Sequence, residues 1–224
     1  MEELLGNSKE YNLENVKELE YSPLKGKSML FLGSSITYGY GSEALAFPEY
    51  LGKRNGMTIL KEAVSGTTLC DNEESYIRRL KKIDTSLHFD LFMCQLSTND
   101  VGWNKPLGEI SKSFNIDDFD QDTIAGAIEY IIGYVKKVFN AQVSFYTSPY
   151  YGNDMYFKMT QLLNDIKKKW DIIVVDMYND KEFNNISKDT FDLYMKDPIH
   201  PTKAGYLKWF TPKMEEVLYK EVKL

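Results

Sequence analysis

Four short polar stretches hold the residue types that acyl-transfer chemistry needs: Ser34–Ser35, Ser65–Gly66, Asn99–Asp100 and Asp197–His200. A serine hydroxyl held in a tight turn is placed to act as a nucleophile once a base can take its proton. The chain has 2 histidines, so the choice of base is nearly forced. His88 precedes an apolar run and is expected at the opposite, amino-terminal edge, as a surface or packing residue. His200 has Asp197 three residues upstream and Pro198 and Pro201 nearby, which limit the backbone of a short loop. A carboxylate on one imidazole nitrogen fixes the tautomer and leaves the other nitrogen to accept the serine proton. Negative charge on a former carbonyl oxygen needs donors, and the N–H of Ser35, the N–H of Gly66 and the side-chain amide of Asn99 are the candidates. Gly66 is expected to let its backbone approach without a side chain in the way.

These groups have to be positioned by something, and the apolar pattern says what. Strands are expected at Ser28–Gly33, Met57–Ala63, Phe89–Leu96, Gln142–Thr147 and Asp171–Met177. Between them the spacing predicts helices starting at Phe47 and ended by Asn55–Gly56, over Glu73–Ile83, from Asp122 as cap through Val138, and over Met155–Trp170. A final helix is capped by Thr202, and Pro212 is expected to kink or split it. Alternating strands and helices imply right-handed crossovers and a parallel sheet covered on both faces, a three-layer αβα sandwich. In such a sheet the carboxyl ends of the strands share one rim, which is where the polar clusters fall. Only Asp197 and His200 must be brought back to it by a loop.

Composition narrows the class. With 224 residues, 43% of them hydrophobic, the chain fits a single domain that buries roughly 70% of its unfolded surface. Residues 1–27 lack a clear period and read as an N-terminal arm packed on a domain formed by residues 28–224. A net charge of −6, with Lys167–Lys169 the only conspicuous basic run, gives no electrostatic case for nucleic acid. No run approaches a membrane span, the start lacks signal-peptide character, and Cys70 and Cys94 lack metal-ligand spacing, so a reduced cytoplasmic protein is expected. Neither Gly-x-Gly-x-x-Gly nor a Walker lysine follows the first strand, which argues against a nucleotide or flavin site.

Taken in order, Gly33–Thr37, Gly66, Ser97–Asp100 and Asp197–His200 resemble the four blocks of the SGNH hydrolases, also called GDSL-type esterases. The resemblance covers most of the chain and implies a flavodoxin-like parallel five-stranded sheet of order 2-1-3-4-5. It further implies Ser35 as nucleophile and acyl ester substrates handled without metal or other cofactor. Ser34 stands where the family has aspartate, and Ser97 where it has glycine. The expected activity is a serine esterase acting on short acyl groups such as acetyl on sugars, with Trp103, Tyr150 and Tyr151 offering aromatic faces to a sugar ring. An acyltransferase, a thioesterase, or a non-catalytic domain keeping the pocket are the alternatives. The twenty-odd residues after Asp100, roughly 101–121, form a loop long enough to serve as a lid.

Overall fold

The structure, a computed structural model, describes residues 4–223. The first three residues of the expected arm lie outside that range. Five strands, β1 (Ser28–Gly33), β2 (Thr58–Ala63), β3 (Leu91–Gln95), β4 (Gln142–Tyr146) and β5 (Ile173–Val175), form one sheet of order β2-β1-β3-β4-β5. Every neighbouring pair is parallel. The helices are α1 (Ser35–Tyr38), α2 (Phe47–Asn55), α3 (Tyr76–Leu80), α4 (Asn99–Gly102), α5 (Ile124–Val138), α6 (Asp154–Trp170), α7 (Lys188–Tyr194), α8 (Lys203–Gly205) and α9 (Thr211–Glu221). The expected α/β sandwich and strand order are both present.

The central strands are buried along almost their whole length because both faces are covered. In β1, Leu30 and Leu32 face a core shared with α3, α5 and α6, while Met29 and Phe31 face a second core shared with α2 and α9. The same alternation puts Phe92 and Cys94 of β3 on the first face and Leu91 and Met93 on the second.

Several boundaries differ from the sequence expectation, each for a local reason. Helix α5 is capped by Thr123, whose Oγ1 accepts from the N–H of Gly126 at 3.2 Å, and not by Asp122. Helix α3 is one turn long where Glu73–Ile83 was expected, because Asn72 Oδ1 accepts from the Glu74 N–H and Ser75 Oγ from the Arg78 N–H, which delays the start. Strand β5 begins at Ile173, since Asp171 takes a left-handed conformation to end α6. The polar stretch before Asp197 holds an unexpected helix, α7. Before Pro212 the chain widens into a π turn, Tyr206–Phe210, which accommodates a residue that has no N–H to direct at an α-helical acceptor.

The segment after Asp100 is tied down. Lys169 Nζ of α6 donates to the carbonyls of Ser111 (2.7 Å) and Ser113 (2.5 Å), and Glu129 of α5 accepts from the Ser111 N–H at 2.8 Å. Glu129 is fully buried and also pairs with Lys169 and Trp170 Nε1, so this anchor sits on a satisfied internal charge.

Candidate active site

Strand β1 ends at Gly33, and Ser35 opens the four-residue helix α1. The first N–H groups of a helix have no intrahelical acceptor, so the Ser35 N–H is free to serve another oxygen. The turn is held from below by Gln95 at the end of β3. Its Oε1 accepts from the N–H of Ser34 (3.0 Å), the N–H of Thr37 (3.3 Å), Thr37 Oγ1 (3.0 Å) and the Tyr146 hydroxyl (3.2 Å). Gln95 was legible as an anomaly, a fully buried amide inside the run Leu91–Leu96; its Oε1 gathers these donors while its Nε2 is buried without a partner. Ser34 Oγ, at the position where the resembling family has a carboxylate, is buried without a partner.

Arg79 gave no signal in the sequence. It is 7% exposed, and its guanidinium donates to the carbonyl of Gly33 (2.8 Å), Thr67 Oγ1 (3.0 Å), the carbonyl of Glu62 (3.0 Å) and the carbonyl of Glu74 (3.2 Å). One planar fork thereby joins the end of β1, the end of β2 and the loop that carries Gly66.

Gly66 has φ +82°. A Cβ there would meet no protein atom within 4 Å, so what the fold itself asks of this glycine is its left-handed backbone. The neighbouring Thr67 carbonyl accepts from Asn99 Nδ2 at 2.9 Å and from Ser97 Oγ at 3.3 Å. Asn99 is thus oriented by the loop of Gly66, with one amide hydrogen engaged and the second unassigned to that bond. Asp100 is fully buried and anchors the same loop, accepting from the N–H of Leu69 (2.8 Å) and of Cys70 (3.1 Å). Burial raises the Asp100 pKa above the ordinary aspartate value, and those two N–H groups offset only part of the effect.

Asp197 builds its own loop. Its Oδ1 accepts from the N–H of Ile199 (2.8 Å) and of His200 (2.9 Å), and its Oδ2 lies 2.7 Å from His200 Nδ1. The loop is closed by the Lys196 N–H on the His200 carbonyl at 2.9 Å and by a Met195–Pro201 bridge. Burial would raise the Asp197 pKa, but the Ile199 N–H, the His200 side chain and the His200 N–H together hold it below the ordinary value. The other imidazole nitrogen, Nε2, lies 2.9 Å from Ser35 Oγ. Asp197 and His200 of one loop and Ser35, 165 positions away, therefore form one hydrogen-bonded series.

Tyr40, unremarkable in the sequence, packs on the His200 ring at 4.9 Å between centroids, and Lys196 Nζ lies 4.3 Å from the centre of the Tyr40 ring. His88 is solvent-exposed on the amino-terminal side, near Asp90. Among the aromatics expected at the rim, Trp103 and Tyr150 are 68% and 60% exposed. Tyr151 is half-buried: its ring packs against Tyr156 and Tyr178 and its hydroxyl is buried. A groove of about 770 Å³ is lined by Tyr150, Phe157, Tyr178 and Asn184, and by neither Ser35 nor His200. Among the described residues no group of three or more His, Cys, Asp or Glu side chains is arranged to hold a metal, and no helix is long and apolar enough to cross a membrane.

Known proteins place this geometry in context. No curated protein sequence matches the chain. A structure from Lactobacillus plantarum superposes with a TM-score of 0.73 at 18% identity, covering 89% of this chain and 99% of that one. One from Bacteroides ovatus bearing the name GDSL-like lipase gives 0.65 at 16%, covering 88% and 99%. An active-site mutant of a family two carbohydrate esterase from Clostridium thermocellum gives 0.59 at 14%, covering 92% and 65%. At these identities the likeness concerns the fold. The sequence itself carries the assignment: residues 31–208 match the GDSL-like Lipase/Acylhydrolase family, which spans all four polar blocks, and the chain belongs to that family of ester hydrolases.

Proposed function

We propose that this protein is a serine esterase that hydrolyses short acyl esters, acetyl esters on carbohydrates foremost. The observation that carries the reading is the series Asp197–His200–Ser35, with contacts of 2.7 Å and 2.9 Å on the two sides of one imidazole. Ser35 Oγ attacks the acyl carbon while its proton passes to His200 Nε2. The resulting imidazolium is stabilised by the Asp197 carboxylate, which also sets the tautomer. The tetrahedral oxyanion receives hydrogen bonds from the Ser35 N–H, the Gly66 N–H and Asn99 Nδ2. On collapse the ester C–O bond breaks and His200 returns its proton to the leaving alcohol. Water then attacks the acyl-serine, giving a proton to His200; the acyl C–Oγ bond breaks, His200 returns that proton to Ser35 Oγ, and the acid is released.

A carbohydrate leaving group is favoured by the exposed ring of Trp103, at the end of the short helix that begins with Asn99, whose face suits the C–H side of a sugar. The fold-level likeness to a carbohydrate esterase points the same way. The test is a chain-length series of p-nitrophenyl esters run beside acetylated sugars, with free alcohols added as competing acceptors. Fastest release of acetate, with the acyl group delivered to water, supports the reading. Preferential transfer to an added alcohol would replace it with an acyltransferase.

A further inference from the structure

His200 lies on a loop, Met195–Thr202, that belongs to no strand of the sheet, whereas Ser35 is fixed to the end of β1. Their separation is therefore set by what holds this loop against the turn that follows α1. Within that turn the Gly41 backbone lies directly on the loop, since a Cβ there would collide with the Pro201 carbonyl. Contact of this kind limits approach but does not prevent the loops from separating.

Tyr40 packs on the His200 ring and the Tyr206 hydroxyl donates to the Ile36 carbonyl at 2.6 Å, and one short side chain bonds both loops at once. Asn7 Nδ2 donates to the Gly41 carbonyl at 2.9 Å, and Asn7 Oδ1 accepts from the Lys203 N–H at 2.9 Å. One amide plane thus links the turn after Ser35 to the residues that follow His200. Its path is narrow: Gly6 is buried, and a Cβ on it would overlap the Leu193 carbonyl and the Thr202 side chain. Lys203 adds a parallel link, its Nζ donating to Glu43 Oε2 (2.6 Å) beyond the turn and to Asn12 Oδ1 (2.9 Å) of the same N-terminal segment. An asparagine suits the position because it offers a donor and an acceptor on one short, planar group. Aspartate lacks the donor, and an apolar residue lacks both.

We infer that Asn7 is a positioning residue for the Ser35–His200 pair, and that the N-terminal segment serves the reaction by closing one loop on the other. This rests on the proposed serine chemistry. Loss of the amide loosens the histidine loop without removing any group that touches substrate, and displacements on the order of 1 Å at reacting atoms cost about 100-fold in rate.

The experiment compares Asn7→Ala and Asn7→Asp with the wild-type chain and with Ser35→Ala. The readouts are kcat and KM on p-nitrophenyl acetate, the rate of Ser35 labelling by an alkyl phosphonate, and the melting midpoint. Both Asn7 variants are expected to lose roughly 10- to 100-fold in kcat and in labelling rate, with KM and folding at the assay temperature unchanged. Wild-type kcat in either folded variant overturns the inference. So does a loss seen only in variants that have melted, because the amide would then be structural alone. Activity persisting in Ser35→Ala overturns the serine chemistry itself, a result distinct from failure of the Asn7 variants.

Discussion

His200 Nε2 stands 2.9 Å from Ser35 Oγ across 165 positions of sequence, and nothing in the sheet links the two directly. A hydroxyl and an imidazole at this distance are ready for proton transfer, so each is indispensable if the reaction runs through them. Ser35→Ala and His200→Ala should reduce ester hydrolysis by roughly 10⁶-fold, toward the residual rate that binding and amide donors alone support, with unchanged circular dichroism. Retained turnover in either folded variant would assign the chemistry elsewhere.

Asn99 holds the Thr67 carbonyl, and in the proposed mechanism it has a second, separable duty toward the reacting oxygen. Asn99→Ala should lower kcat by roughly 100- to 1000-fold, the usual loss for one oxyanion donor. It also removes a donor from the Thr67 carbonyl, which still receives Ser97 Oγ at 3.3 Å. Stability should therefore change little, and a thermal melt run beside the kinetics separates the two effects.

For Gly66 the expected order is reversed. A left-handed φ costs a non-glycine residue about 1–2 kcal/mol, but a Cβ would enter open space. Gly66→Ala should lose about that much stability in urea titration, with a smaller fall in kcat than Asn99→Ala.

Arg79→Met removes the guanidinium donor from the carbonyls of Gly33, Glu62 and Glu74, of which Gly33 keeps the Val64 N–H at 3.3 Å and Glu74 is open to water. A buried acceptor that loses its donor costs about 1–3 kcal/mol, and with these carbonyls partly compensated a loss in that range is expected in chemical denaturation. Arg79→Lys should recover only part of it, because an ammonium cannot reach these acceptors in one plane.

Asp197 has its pKa lowered in the folded state. Its contribution to stability is thus fully present above the unfolded value of about 3.9 and is lost as pH falls through the lower folded value. Asp197→Asn should lose less stability than wild type between about pH 5 and pH 2, read as the urea midpoint against pH. The carboxylate is partly exposed, so solvent screening keeps the difference small. Asp100 runs the opposite way: its raised pKa favours the fold at low pH and weakens it as pH rises through the folded value.

Periodicity made the sheet, the helix faces and the rim of polar clusters legible, because it reports which side of each element is buried. The pair of histidines narrowed the base to one residue before any coordinates were needed. Strand order came from the resemblance of the four blocks, and the structure has that order. What the pattern could not carry was the partner of each polar atom. The bond from the Lys203 N–H to Asn7 spans 196 positions, and the buried reach of Arg79 to Gly33 spans 46. Whether Tyr150 or Tyr151 turns outward, and why Gly66 is glycine, likewise depended on the return path of the chain. Burial is a property of a short window of sequence and its spacing. Hydrogen-bond partnership is decided by which distant segments the packed core brings side by side, and only the tertiary structure sets that.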